Sequence, residues 1–150
     1  MYKRILVPVD GSETSNRALR AAAALAAEHS AALRVVHVSE ETPIYVSMDT
    51  LPSPPAEFMQ ALRKEGERTL AEAVASAREA KIEADGKLLV IDRPGQRISD
   101  AIEQEAEQWG ADLIVVGTHG RRGFRRLLLG SVAENLIRIS TKPVLLVRAE

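Results

Sequence analysis

The sequence predicts a single α/β domain over residues 1–150: one doubly wound, five-stranded parallel sheet in the order 3-2-1-4-5, with helices on both faces. Three observations lead there. Short apolar runs alternate with helical patterns along the whole chain. Each strand-like run is continuously apolar and does not alternate, as in a sheet covered on both sides. The 150 residues, 45% of them hydrophobic, suit one core and leave no room for a second domain.

In chain order, residues 4–9 (RILVPV) read as the first strand, ended by the Asp10-Gly11 turn and followed by Ser and Thr residues suited to helix capping. Residues 14–29 form an alanine-rich helix with Ala18, Ala22, Leu25 and Ala26 on one face, small enough to lie close to a sheet. Residues 33–38 (LRVVHV) are the second strand, and 40–55, with four prolines, a long loop. Residues 56–80 make a long helix burying Leu62, Leu70, Ala73 and Ala77, before the third strand at 87–91. Ile98, Ile102, Ala106 and Trp109 mark the apolar stripe of a third helix. Residues 112–116 are the fourth strand, and residues 131–140 a fourth helix with Val132, Leu136 and Ile139 inward. Residues 143–147 (PVLLV) close the chain as an edge strand, which either invites a second copy or is guarded by Pro143 and the flanking charges.

Composition narrows the function. A net charge of -1 and a pI near 6.3 give no long-range pull on nucleic acid or an acidic membrane, and 3% aromatics leave few stacking platforms. Without cysteine there is no disulfide, thiolate nucleophile or Cys-type zinc site. Apolar stretches such as Ala21 to Ala27 fall far short of the roughly 20 residues that cross a bilayer. The first residues lack the pattern of a secretory signal. The expectation is a cytoplasmic protein with no nucleic-acid and no membrane partner.

The strand order makes strands 1 and 4 neighbours whose connections leave in opposite directions, so a ligand crevice should open beyond their carboxyl ends. Asp10 ends the first strand there, and Gly117-x2-Gly120-x9-Gly130-Ser131 follows the fourth, with Gly123 inside the loop. Glycines admit a ligand close to the main chain, and the helix opened by Ser131 presents free amides and its dipole to an anion. The alternative is a plain turn and helix cap. The spacing matches neither G-x-G-x-x-G nor a P-loop. Asp10 is either a helix cap or a ligand contact. Arg121, Arg122, Arg125 and Arg126 either meet a triphosphate or form a solvated face. His119 reads as a backbone or shape contact rather than a general base, because the motif places no titratable group to orient it. His37, inside an apolar strand, reads as a packed core or dimer-side residue rather than a metal ligand.

These landmarks, together with "ILVPVDGSETSNRAL", "ADLIVVGTHGR" and "GSVAENLIRISTKPVLLVR", resemble the universal stress protein family over the whole chain. The glycine spacing is similar to the G-x2-G-x9-G-[ST] signature of that family's nucleotide-binding branch. The resemblance implies ATP binding in the crevice and a homodimer paired through the last strand, Val144 to Val147. By the same resemblance, Asp10 would contact the ribose or adenine edge, with the backbone of Pro8 and Val9 beside it. Val38 would offer its backbone to adenine. Val116, Gly117, His119 and Gly120 would line the ribose and phosphate side, and Gly130, Ser131 and Val132 would hold phosphate oxygens. Mg²⁺ would arrive with the nucleotide, held by phosphates and water. The function implied is a binding module in signalling or stress adaptation. A slow ATP hydrolase or phosphotransferase and a nucleotide-free dimeric scaffold are the alternatives.

Overall fold

The computed structural model describes residues 1–41, 56–119 and 129–149. The 42–55 part of the proline-rich loop, Gly120, Gly123 and the four loop arginines lie outside these. The order is β1 (Arg4–Pro8), α1 (Glu13–His29), β2 (Ala32–Glu40), α2 (Ala56–Arg78), β3 (Ala84–Ile91), α3 (Ile98–Trp109), β4 (Leu113–Gly117), α4 (Ser131–Ile139) and β5 (Val144–Val147). The five strands are parallel in the order β3-β2-β1-β4-β5.

Alternation along each strand sends one set of side chains to each face. Ile5, Val7, Leu33, Val35, Leu113 and Val115 pack with α1 and α2. Leu6, Val36, Ile114 and Val116 pack with α3 and α4. Both sets are apolar, which is why the strands read as unbroken runs. Ala18, Ala22 and Ala26 are buried and let α1 sit close to β1 and β4. Ile102 and Ala106 are buried on α3, with Ile98 and Trp109 packed at their edges. Truncating a fully buried residue such as Ile5 or Ile114 to alanine costs about 2–5 kcal/mol.

The elements depart from their predicted limits where tertiary contacts intervene. β3 begins at Ala84, three residues before the apolar run, because a continuous ladder from Leu33↔Ala84 to Glu40↔Ile91 overrides the poor strand propensity of Ala-Asp-Gly. On α2, Leu62 and Leu70 are only half-buried, and Gly66 and Val74 join Ala73 and Ala77 on the buried side. On α4, Ala133 and Leu136 are the buried pair, while Val132 and Ile139 sit at the margin. β1 ends at Pro8 and not Val9, while β2 continues to Glu40. That difference in length shapes the site.

The amino end of the sheet is closed by paired charges. Asp112 accepts the Lys3 and Arg4 N–H groups at 2.8 and 3.1 Å. The Arg34 guanidinium lies 4.7 Å from the centre of the Trp109 ring and pairs with Asp85 and the buried Glu105 at 2.6 and 2.9 Å. Hydrogen bonding to Asp85 holds Arg34 above its ordinary pKa.

Candidate functional site

The carboxyl ends of β1 and β4 are joined by close approach of backbone. A Cβ on Gly117 would lie 2.8 Å from Thr14 Cγ2 and 3.1 Å from its carbonyl oxygen, so α1 can start against the end of β4 only over a glycine. Gly130 donates its N–H to the Thr118 carbonyl at 2.6 Å, and a Cβ there would stand 3.0 Å from that oxygen. The space beside both glycines is therefore filled by Thr14 and Thr118. Both glycines thus have a packing reason, and the close approach brings Asp10, Gly117, Gly130 and Ser131 to one place.

Two helices begin at this place with different chemistry. Ahead of α1, Gly11 takes a φ of 79°, and Asp10 Oδ1 accepts the Ser12 N–H at 2.9 Å. Ser12, not Asp10, is the cap: its Oγ accepts the Ser15 N–H at 3.2 Å. Ser15 Oγ donates back to the Ser12 carbonyl at 3.0 Å. At α4 the capping residue is Gly130, which has no side chain to offer and whose N–H is already given to Thr118. The first donor into the helix is the Glu134 N–H, to the Gly130 carbonyl at 2.9 Å. The amides of Ser131, Val132 and Ala133 point along the helix axis toward its start and have no acceptor among the described residues, which is the arrangement that binds an anion. The Ser131 side chain beside them is exposed.

In the sheet plane, β2 overhangs β1. The Ala32 N–H donates to Lys3 on the β1 side and the Leu33 N–H to Glu83 on the β3 side, both at 2.9 Å. Even-numbered residues of β2 therefore direct both N–H and C=O toward β1. The last β1-side bond runs from the Val9 N–H to the Val36 carbonyl at 2.8 Å. Two residues on, Val38 presents a donor and an acceptor side by side where β1 has ended. The overhang is anchored beyond it: the Glu41 N–H donates to the Ile91 carbonyl at 2.8 Å, and its carboxylate takes a two-pronged contact from Arg63 at 2.9 and 2.6 Å. The Arg63 hydrogen bonds hold the Glu41 carboxyl below its ordinary pKa.

Thr118 is the residue sequence reasoning passed over. It is 7% exposed. Its N–H donates to the Val147 carbonyl of β5 at 2.9 Å, its carbonyl receives Gly130, and its Oγ1 lies 2.9 Å from His119 Nδ1. His119 Nε2 is buried and has no hydrogen-bond partner among the described residues. The only available signal was the position of Thr118 between Gly117 and His119. Of the remaining expected residues, Val9 is buried, and Asp10, Pro8 and Val132 are half-buried. Val116 is 5% exposed with its side chain in the core on the α3–α4 face, so only its backbone is left for the crevice. His37 is packed against α2 and lies far from the β5 edge. Among the described residues, no three His, Asp or Glu side chains are placed to hold a metal ion, and no helix is long and apolar enough to cross a membrane.

Known proteins share this fold. The chain is 34% identical to universal stress protein YxiE of Bacillus subtilis, with 99% of this chain and 100% of the relative covered. A universal stress family protein from Burkholderia pseudomallei superposes with a TM-score of 0.77 at 34% identity, covering 97% and 96% of the two chains. A universal stress protein solved in complex with cAMP matches with a TM-score of 0.73 at 28% identity over 99% of both chains. One from Archaeoglobus fulgidus in complex with dAMP matches with a TM-score of 0.69 at 29% identity over 97% and 98%. Residues 1–148 match the universal stress protein family itself, and the chain belongs to that family.

Proposed function

We propose that this protein binds an adenine nucleotide, ATP foremost, in the crevice beyond the carboxyl ends of β1, β2 and β4, and acts as a binding module in signalling or stress adaptation. The observation that carries the reading is the uncapped start of α4, which stands opposite the free Val38 backbone across the end of β1. The amides of Ser131, Val132 and Ala133 would take phosphate oxygens, with the Ser131 hydroxyl beside them. The Val38 N–H and C=O match the adjacent acceptor and donor on the Watson–Crick edge of adenine and oppose those of guanine. Asp10 carries negative charge beside α1, so it suits the ribose hydroxyls and not the phosphates; Pro8 and Val9 lie next to it. Gly117, His119 and Gly120 complete the ribose and phosphate side, with the backbone of Val116. The two solved relatives that hold cAMP and dAMP support an adenine nucleotide as the ligand. Mg²⁺ would come with ATP, coordinated by phosphates and water, since the described side chains offer it no cluster.

Binding is favoured over hydrolysis because His119 is oriented by a neutral hydroxyl and not by a carboxylate. The partner proposed at the surface is a second copy. On β5 the odd-numbered residues bond to β4, so Val144 and Leu146 turn their N–H and C=O outward, and the Leu145 and Leu146 side chains are 39% and 36% exposed. Calorimetry with ATP, mass spectrometry of any copurifying small molecule and sedimentation of the free chain test the proposal together. No heat and no bound nucleotide would refute the ligand, and a monomer at all concentrations would refute the pairing.

A further inference from the structure

The Val38 backbone, which has no β1-side partner among the described residues, lies beside a side chain outside the glycine motif. In a parallel ladder the bond from the Val9 N–H to the Val36 carbonyl is followed by one from the Val38 N–H to the Val9 carbonyl. That second bond is absent. The Val9 carbonyl oxygen instead lies 2.8 Å from His37 Nδ1. A carbonyl only accepts, so His37 carries a proton on Nδ1 and donates it. The imidazole fits there because Gly66 of α2 passes directly over it: a Cβ on Gly66 would lie 2.9 Å from His37 Cδ2 and 3.2 Å from Nε2. The β1–β2 ladder thus stops a rung early at the point where the His37 imidazole, under Gly66, meets the Val9 carbonyl.

Resting on the adenine-nucleotide reading of the crevice, we propose that His37 is a positioning residue of this site. By occupying the Val9 carbonyl, it keeps the Val38 N–H and C=O unpaired and turned toward the base, and so sets the preference for adenine over guanine. It need not touch the nucleotide. Without its N–H, the Val38 amide would close onto Val9 and the base would lose its donor.

Two readouts on the full chain test this. Hydrogen exchange of the Val38 amide, measured by NMR without nucleotide, should be fast in the wild type and about tenfold slower in His37→Phe, where the ladder can close. ATP affinity should fall about tenfold in His37→Phe and the ATP-to-GTP affinity ratio should narrow. His37→Asn, whose side-chain N–H sits near the Nδ1 position, should restore both. Gly66→Ala, which pushes the ring off Val9 and leaves every group facing the nucleotide intact, should reproduce His37→Phe and serves if that variant does not fold. The inference is overturned if the wild-type Val38 amide is as protected as that of Val36, or if folded His37→Phe or Gly66→Ala keeps wild-type affinity and nucleotide ratio. A wild type that binds neither ATP nor AMP defeats the nucleotide reading alone, and the exchange measurement still decides whether His37 holds the ladder open.

Discussion

The two helices that start at the crevice, α1 and α4, differ in one respect that separates structure from function. The start of α1 is capped by its own side chains: Asp10 takes the Ser12 N–H, Ser12 takes the Ser15 N–H, and Ser15 donates back to the Ser12 carbonyl. The start of α4 is left open, because its cap is a glycine with its own N–H committed to Thr118. A glycine at the cap position forgoes only about a few tenths of a kcal/mol relative to Ser or Asp, so leaving the amides open costs the fold little. In the proposed function a ligand anion takes the place of that side-chain cap at α4, whereas at α1 the Ser12 hydroxyl already fills it. The same residue classes that read as equivalent along the chain therefore take opposite roles.

The contrast can be broken most severely at Gly130. Gly130→Val places a β-branched side chain against the Thr118 carbonyl, at the site of the phosphate amides, and should weaken ATP binding by more than about 3 kcal/mol by calorimetry. Unchanged affinity would remove the loop from the site. Ser131→Ala deletes only a hydroxyl beside the open amides, and an intermediate loss of about 1–3 kcal/mol is expected, with the circular dichroism spectrum preserved. The converse substitution lies on α1. Ser12→Ala should lower unfolding free energy by about 1 kcal/mol in denaturant titrations while ATP affinity stays within about twofold. A large affinity loss there would erase the distinction between the two helix starts.

The mildest effect is expected at the anchor of the β2 overhang. The Glu41 carboxyl has a lowered pKa in the folded state, so its pairing with Arg63 contributes stability above the ordinary value of 4.5 and loses it as pH falls through the lower folded value. Thermal unfolding of Glu41→Gln should therefore trail the wild type modestly at neutral pH and converge with it in acid. A gap that widens on acidification would assign the wrong sign to this pair.

Much of the fold was legible because each strand is an apolar run and each helix a periodic stripe, and a parallel sheet with the crossover rule leaves few orders to choose from. The meeting of distant segments was legible for a related reason: Asp10 follows β1 while Gly117 and Gly130 lie at the end of β4 and the start of α4, where the connections diverge. What the spacing did not show is what meets each gap: a Cβ on Gly117 would meet Thr14, one on Gly130 would meet Thr118, and one on Gly66 would meet His37. Sequence spacing records that a side chain is missing but not what approaches the gap.

The chain's own pattern determined the class of fold, the strand order, the faces of α1 and α3, and the convergence of Asp10 with the glycine loop, because periodicity and turn chemistry are local properties. Only the tertiary structure decided that β1 stops short of β2, that His37 holds the Val9 carbonyl, and that Thr118 joins the start of α4 to the end of β5. Those features depend on register between strands and on how closely a helix lies upon a sheet, and both are set by contacts among residues far apart in sequence.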